Sequence, residues 1–302
     1  MGLALSENQA KDLINDHRVV GVPCSGGQKY VFKCQTSGYF YAVKVICLQE
    51  EILRGCPEEE IEEAWDSASK RSKREFESML RCSCNNLVRV LEGSYQEREI
   101  DGVKAIVFAE QWIEGYTLES YLASKRIMSS SELIKLALDI GQAIKELASK
   151  NLVHRDIKPS NIIFDEEADR FVLLDLGLAL DLNESYLTQT GLIVGTRPYL
   201  APEQMNPKYK PEITFKSDFF ALGTVLYELA TGERPYFKKS YMDLRALYNG
   251  IMNGPVPVPP CVKNEDICGE LSGIIMRLLA KRPSGRYRHP QNLIEALEAI
   301  GG

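Results

Sequence analysis

No apolar run in this chain approaches the roughly 18 residues that a membrane-spanning helix needs. The first ten residues contain no Lys or Arg, so they lack the basic start of a secretory signal peptide. The 8 cysteines are scattered, which argues against a disulfide scaffold, and no pair has the spacing of a zinc site. A basic excess is also missing, because the formal net charge is -6, so we expect neither nucleic acid nor a membrane as partner. Together these absences predict a cytoplasmic globular protein with reduced thiols.

Enough apolar residues are present for a substantial core, since 44% of the 302 residues are hydrophobic and 26% are charged. Alternating apolar residues predict strands in the first third, and helical periodicity dominates the remainder. This change of pattern predicts two lobes joined near 111–115. The individual predictions are a short helix at 6–16, strands within 19–45, 87–96 and 103–112, a long helix at 57–81, and later helices at 217–231, 240–252, 267–281 and 290–299.

The strongest chemical signal is the segment HRDIKPSN at 154–161. Asp156 and Asn161 lie five residues apart in a loop that contains a proline, so both side chains can face one cavity. Asp175 follows fourteen residues after Asn161, at the end of an apolar strand, and returns a second carboxylate to the same place. Carboxylate and amide oxygens that converge in this way can hold Mg²⁺ against phosphate oxygens.

In these motifs and in their order, the chain resembles the eukaryotic-type (Hanks-type) serine/threonine protein kinase family, over nearly its whole length. The resemblance implies an α+β, two-lobed fold. It places an antiparallel sheet with a helix at 19–113 and a mainly helical lobe at 114–302, after a helical extension at 1–18. It also implies ATP with Mg²⁺ or Mn²⁺ as cofactors and proteins as substrates.

The resemblance assigns roles to five residues. Asp156 matches the catalytic aspartate that accepts the proton of the substrate hydroxyl, and Asn161 and Asp175 match the metal ligands. Lys44 matches the strand lysine that contacts the α- and β-phosphates. Lys158 matches the lysine that steadies the transferred phosphate in serine/threonine kinases, which favours Ser/Thr as acceptors.

The partner of the strand lysine should be a glutamate on the helix at 57–81. Counting twelve residues back from Leu87, as the family pattern does, selects Glu75 over the neighbouring Glu77. The resemblance therefore implies an ion pair between Lys44 and Glu75.

The segment after Asp175 resembles an activation segment that ends in APE. There, Thr188 and Thr190 resemble the paired autophosphorylated threonines of bacterial serine/threonine kinases, although solvated loop hydroxyls are the alternative. Thr196 is expected to bond Asp156 and Lys158.

The supporting residues are also implied by the family pattern. Arg155 precedes the catalytic aspartate and is typical of kinases that need a phosphate in the activation segment. His154 is expected to pack, and Asp218 to support the backbone of the catalytic loop. Glu203 is expected to pair with Arg286 and so anchor the segment.

The glycine-rich loop departs from the family pattern. With Val31 aligned to the pattern's valine, Cys24, Gly26 and Lys29 occupy the three glycine positions, so only one glycine remains. Because glycines let backbone N–H groups approach phosphates closely, this loop predicts slow catalysis or altered nucleotide handling. Lys29 itself is a further candidate for contact with phosphate.

The linker is the second departure. The family pattern places Glu110 at the usually apolar gatekeeper position, where a buried carboxylate needs a partner unless the register is shifted by one. It makes Gln111 and Ile113 the backbone contacts to adenine. Val31, Ala42 and Ile163 are then expected to line the adenine site.

Two other functions remain open at this point. A pseudokinase or nucleotide-binding scaffold is favoured by the altered glycine loop and opposed by the complete set of Lys44, Asp156, Asn161 and Asp175. A small-molecule phosphotransferase is opposed by Lys158, Thr196 and the APE segment, which in the family serve peptide substrates. Gly2 begins a short pattern for myristoylation, which occurs often by chance and does not suit a bacterial-type chain. Oligomeric state is open.

Overall fold

The computed structural model describes residues 5–26, 29–48, 57–175, 180–181, 197–205, 211–236 and 244–301. The predictions for Gly2, Thr188, Thr190 and Thr196 fall outside these residues. The chain divides into two compact units. The first runs to Arg81 and resumes from Val88 to Ile113, and the second contains Cys82–Leu87 and the chain from Glu114 onward.

The first unit is an antiparallel sheet with a helix on each face. Its strands are β1 (Arg18–Val19), β2 (Cys24–Gly26), β3 (Lys29–Gln35), β4 (Phe40–Cys47), β5 (Gln96–Ile100) and β6 (Val103–Gln111). They are ordered β1-β3-β4-β6-β5, and β2 pairs with β3. The helices are α1 (Glu7–Asp12) and α2 (Glu58–Leu80). Acidic residues fill the first turn of α2, as the helix dipole favours.

Alternation along β4 decides what each face of the sheet contacts. Val43 and Val45 point to one face, where they pack in a cluster with Leu13 and Ile14 beside α1. Ile46 points to the other face, where the cluster contains aromatic residues of α2. Successive strand residues face opposite sides, so Lys44, which lies between the two valines, shares the α2 face with Ile46.

The prediction of a strand at 87–96 is wrong in its position. Only isolated bridges occur there, from Leu87 to Leu173 and from Val90 to Glu110, and the strand begins at Gln96. Gly93 explains the shift, because its φ of +75° is left-handed and interrupts an extended backbone.

The second unit is mainly helical. Its helices are α3 (Leu118–Ala123), α4 (Ser130–Ser149), α5 (Pro202–Met205), α6 (Phe215–Thr231), α7 (Leu244–Asn253), α8 (Pro260–Lys263), α9 (Gly269–Leu278) and α10 (Pro290–Gly301). Its strands are β7 (Gly115–Thr117), β8 (Leu152–Val153), β9 (Ile162–Asp165), β10 (Arg170–Leu173) and β11 (Leu180–Asp181). Helix α6 is buried on almost every side. The architecture confirms the predicted α+β class with a sheet-plus-helix part and a helical part. Among the helices that the structure describes, none has the length and apolar character needed to cross a bilayer.

Candidate active site

In the first unit, the site is centred on the buried lysine of β4. Lys44 Nζ lies 3.5 Å from Glu75 Oε1 of α2. Both side chains are buried, whereas Glu77 is exposed. Residues two apart on a helix point in widely different directions, so only one of the two glutamates can face the sheet. The structure brings Glu75 to Lys44.

A second carboxylate reaches the same ammonium. Glu110 of β6 is buried, and its Oε2 lies 2.9 Å from Lys44 Nζ. Oε2 has no hydrogen-bond partner among the residues described, so this contact is not a hydrogen bond. The interaction is therefore ionic. Of the two alternatives that the sequence left for Glu110, the structure has the one in which the carboxylate is paired.

The other nucleotide-site candidates of this unit lie on the same sheet. Val31 is directly opposite Lys44, and Ala42 is directly opposite Glu110, so these four residues share one face. Cys24 is opposite Val31 and is exposed. The backbone positions of Gly26 in β2 and Lys29 in β3 are paired.

Gln111 and Ile113, the predicted backbone contacts to adenine, lie in different surroundings. The Gln111 N–H donates to the Arg89 carbonyl at 2.7 Å, so this N–H group is already engaged. Any backbone contact of Gln111 to a base must use its carbonyl. Ile113 follows as a buried residue after the end of β6.

In the second unit, three side chains converge in the loop between β8 and β9. Lys158 Nζ lies 2.7 Å from Asp156 Oδ2. Asn161 Nδ2 donates to the same oxygen at 3.1 Å and to the Asp156 carbonyl at 2.9 Å. Asp156 is 8% exposed, so a cation and an amide hold an almost buried carboxylate in one orientation.

Buried side chains fix the backbone of this loop. Asp218 of α6 accepts the backbone N–H groups of His154 and Arg155, both at 2.9 Å. Burial raises the pKa of Asp218, while His154, Arg155 and these two hydrogen bonds act in the opposite direction. The Asp156 N–H donates to His154 Nδ1 at 3.3 Å, so Nε2 carries the ring proton and donates to the Leu174 carbonyl at 3.0 Å.

A further hydrogen bond links the backbone beside the two predicted metal ligands, Asn161 and Asp175. The Leu174 N–H donates to the Asn161 carbonyl at 2.8 Å, which holds the backbone before Asp175 beside Asn161. Asp175 itself has a left-handed φ of 66°. Because the amide nitrogen of Asn161 is used by Asp156, its amide oxygen is the group left to accept a cation. An amide oxygen and a carboxylate are the hard donors that Mg²⁺ takes, so these residues fit such an ion. Ile163 lies half-buried in β9 just after this loop.

The predicted end of the activation segment, at Glu203, is anchored by a buried ion pair. Arg286 Nη1 donates to Glu203 Oε1 at 2.6 Å, and Nη2 donates to Oε2 at 3.1 Å. Ser217 donates to Glu203 at 2.7 Å. Gln204, which no sequence signal singled out, donates to the Arg155 carbonyl at 3.1 Å. Gln204 thus links the Glu203–Arg286 pair to the loop that contains Asp156, through a contact between residues far apart in the chain.

Comparison with known proteins places these observations in a family. The family described as the protein kinase domain matches residues 17–296. A protein of Clostridium perfringens named probable serine/threonine-protein kinase is 28% identical over 292 residues, which cover 96% of this chain and 39% of that protein. Serine/threonine-protein kinase PknB of Mycobacterium leprae is 29% identical over 219 residues, which cover 72% of this chain and 34% of that protein.

A probable serine/threonine-protein kinase of Clostridium acetobutylicum is 30% identical over 228 residues, covering 76% of this chain and 33% of that protein. The chain thus spans between a third and two fifths of the length of these relatives. Because the family match extends over nearly all of the chain, the chain belongs to the protein kinase family.

Proposed function

We propose that this domain transfers the γ-phosphoryl group of MgATP to Ser and Thr hydroxyls of proteins. The observation that carries the proposal is Asp156, which Lys158 and Asn161 orient and which lies in a loop held by Asp218. A carboxylate fixed in this way can accept the proton of an incoming hydroxyl. Catalysis then depends on positioning and on charge neutralisation.

The remaining residues take the roles that family membership suggests. Lys158 steadies the phosphoryl group in transit, and Lys44 contacts the α- and β-phosphates. Asn161 and Asp175 would hold Mg²⁺ or Mn²⁺, which when bound neutralises phosphate charge. The loop around Cys24, Gly26 and Lys29 covers the phosphates less closely than three glycines would. The proposal includes autophosphorylation of Thr188 and Thr190.

A nucleotide-binding pseudokinase is the second candidate, and two observations favour it. Cys24 and Lys29 stand where the family has glycines, and Glu110 engages the phosphate-contacting lysine. Both features weaken the binding of phosphate without removing a catalytic group. The arrangement of Asp156, Lys158 and Asn161 favours the active enzyme.

The test is transfer of radiolabelled γ-phosphate from MgATP to a generic basic protein, with phosphorylated sites mapped by mass spectrometry. We expect Asp156→Asn to reduce transfer by about 100-fold or more, the usual contribution of a positioned base. The matched control is Asp169→Asn, which changes an exposed aspartate whose φ of 48° asparagine tolerates. It should retain wild-type transfer.

Two results would contradict this proposal. Wild-type protein that binds MgATP but transfers no phosphate, with Mg²⁺ or with Mn²⁺, would favour the pseudokinase. Transfer that survives in Asp156→Asn would remove Asp156 from the mechanism. Phosphate on Thr188 or Thr190 in the wild-type protein, and its absence in Asp156→Asn, would support autophosphorylation.

A further inference from the structure

The gatekeeper carboxylate forms a buried triad with the lysine–glutamate ion pair of the first unit. Lys44, Glu75 and Glu110 are 2%, 6% and 6% exposed. One ammonium therefore faces two carboxylates, and the formal charge of these three groups is negative. Taking a second carboxylate out of water is costly unless a cation compensates it, and Lys44 is the cation that Glu110 contacts.

The ammonium of Lys44 lies closer to Glu110 than to its expected partner, Glu75. Lys44 Nζ is 2.9 Å from Glu110 Oε2 and 3.5 Å from Glu75 Oε1. The pairing of β4 with β6 accounts for this approach, because Glu110 is opposite Ala42 and Phe108 is opposite Lys44. Glu110 thus extends from the neighbouring strand, on the same face, and diagonally toward the ammonium.

We propose that Glu110 is a positioning residue that competes with nucleotide phosphate for the ammonium of Lys44 and so sets the affinity for nucleoside di- and triphosphates. This inference rests on the proposed function, which assigns the α- and β-phosphates to Lys44. According to this inference, Glu110 weakens the binding of the ligand's phosphates and leaves the binding of its base unaffected.

The physical reason lies in the charge of the ammonium. The carboxylate of Glu110, whose Oε2 is 2.9 Å from Nζ, already compensates that charge before a phosphate arrives. A phosphate that reaches Lys44 adds negative charge close to two buried carboxylates, where solvent screens little. The phosphate must therefore draw Lys44 from Glu110 or bind against its repulsion.

This mechanism makes a prediction that depends on phosphate number. Removing the charge of Glu110 should strengthen binding of ligands that carry phosphates at Lys44. It should leave adenosine almost unchanged, because adenosine offers no anion to that ammonium. A role of Glu110 in recognising the base, or in packing alone, would change the binding of adenosine, MgADP and MgATP together.

The experiment is calorimetric titration of adenosine, MgADP and MgATP into the wild-type chain and Glu110→Gln, which keeps the shape and removes the charge. We expect dissociation constants for MgADP and MgATP to fall about tenfold, which corresponds to about 1.4 kcal/mol. The adenosine constant should change less than about twofold. In the transfer assay, KM for ATP should fall by more than kcat changes.

Two further variants keep the test decisive. Glu99→Gln removes the same charge from an exposed position on β5 of the same sheet, and it should alter none of the constants. Glu110→Met also removes the charge, with an apolar side chain, and should show the same gain in affinity for MgADP and MgATP. It takes the place of Glu110→Gln if that variant folds poorly. Thermal unfolding of each variant separates lost binding from lost structure.

Unchanged MgADP and MgATP affinity in folded Glu110→Gln and Glu110→Met would overturn the inference and leave the proposed function standing. An equal gain for adenosine would overturn it in favour of a base contact. Nucleotide binding by Glu110→Gln where the wild type binds weakly or not at all would support it. Absence of nucleotide binding in every folded variant would overturn the proposed function, and the inference with it.

Discussion

A buried arginine fixes the positions of its neighbours in the interior of the second unit. The guanidinium of Arg286 is fully buried and contacts both oxygens of Glu203. It also donates to the backbone carbonyls of Lys216 and Ala280. An arginine suits this position because its planar group offers five donors in a fixed geometry, which a lysine cannot match. Such a pair specifies a geometry more than it adds stability.

A more exposed pair allows a test by pH. Arg98 donates to both oxygens of Asp16, at 2.9 and 2.8 Å, and thereby holds the pKa of Asp16 at about 2, below its ordinary 3.8. The folded-state pKa is the lower one, so the stabilisation is present above about pH 4 and is lost as the pH falls toward about 2. Because the side chain of Asp16 is 54% exposed, Asp16→Asn should cost less than about 1 kcal/mol of unfolding free energy at neutral pH.

Urea unfolding of both proteins from neutral pH downward checks this expectation. The difference between wild type and Asp16→Asn should stay constant to about pH 5 and shrink below about pH 4. A difference that persists unchanged into acid would show that the charge of Asp16 does not cause it.

At the scale of secondary-structure elements, the close pairing of β7 with β9 positions the strand that follows the catalytic loop. Gly115 begins β7 and is paired with Asp165. Its φ is +152°, and a Cβ at this position would lie 1.8 Å from the carbonyl oxygen of Phe164. A glycine is required here because both the backbone conformation and the available space exclude a side chain.

We therefore expect Gly115→Ala to destabilise the chain by about 2 kcal/mol or more, since the backbone of β9 must move to admit the methyl group. The control is Gly273→Ala in α9, where a Cβ meets no atom within 4 Å. That variant should gain about 0.5–1 kcal/mol from helix propensity. Denaturant midpoints of the two variants should move in opposite directions, and a shared direction would contradict the steric argument.

At the scale of the whole molecule, the extension before the sheet is part of the core. Ala10 and Ile14 are completely buried in one cluster with Phe32 and Val43. Tyr30 donates from its hydroxyl to the Leu5 carbonyl at 3.0 Å. The sheet of the first unit is thus covered by α1 on one face and by α2 on the other. Because both faces are covered, the extension contributes to the stability of the unit.

We predict that Ile14→Ala costs about 2–4 kcal/mol of unfolding free energy, as expected for removing a fully buried aliphatic side chain. Lys11→Ala changes an exposed residue of α1 and should cost less than about 0.5 kcal/mol. Chemical unfolding, followed by circular dichroism, measures both. A cost for Ile14→Ala as small as that for Lys11→Ala would mean that the extension does not support the sheet.

Sequence alone was sufficient where neighbouring residues form a specific pattern. The segment from His154 to Asn161 contains the catalytic-loop residues within eight positions, and their order with Asp175 indicated the family. The long helix was predicted at 57–81 and lies at Glu58–Leu80, because the proline and the acidic residues that mark its start are local signals. The strand at 87–96 was misplaced because alternation does not reveal the left-handed φ of Gly93.

Tertiary structure alone decided the contacts that no sequence motif indicated. The sequence raised Glu110 as an anomaly, and only the pairing of β4 with β6 brought its carboxylate to Lys44. Gln204 reached the catalytic loop in the same way, through a contact to Arg155 that no motif encodes. The physical reason is that local conformation depends on neighbouring residues, whereas the partner of a buried charge depends on segments far apart in the chain that fold against each other.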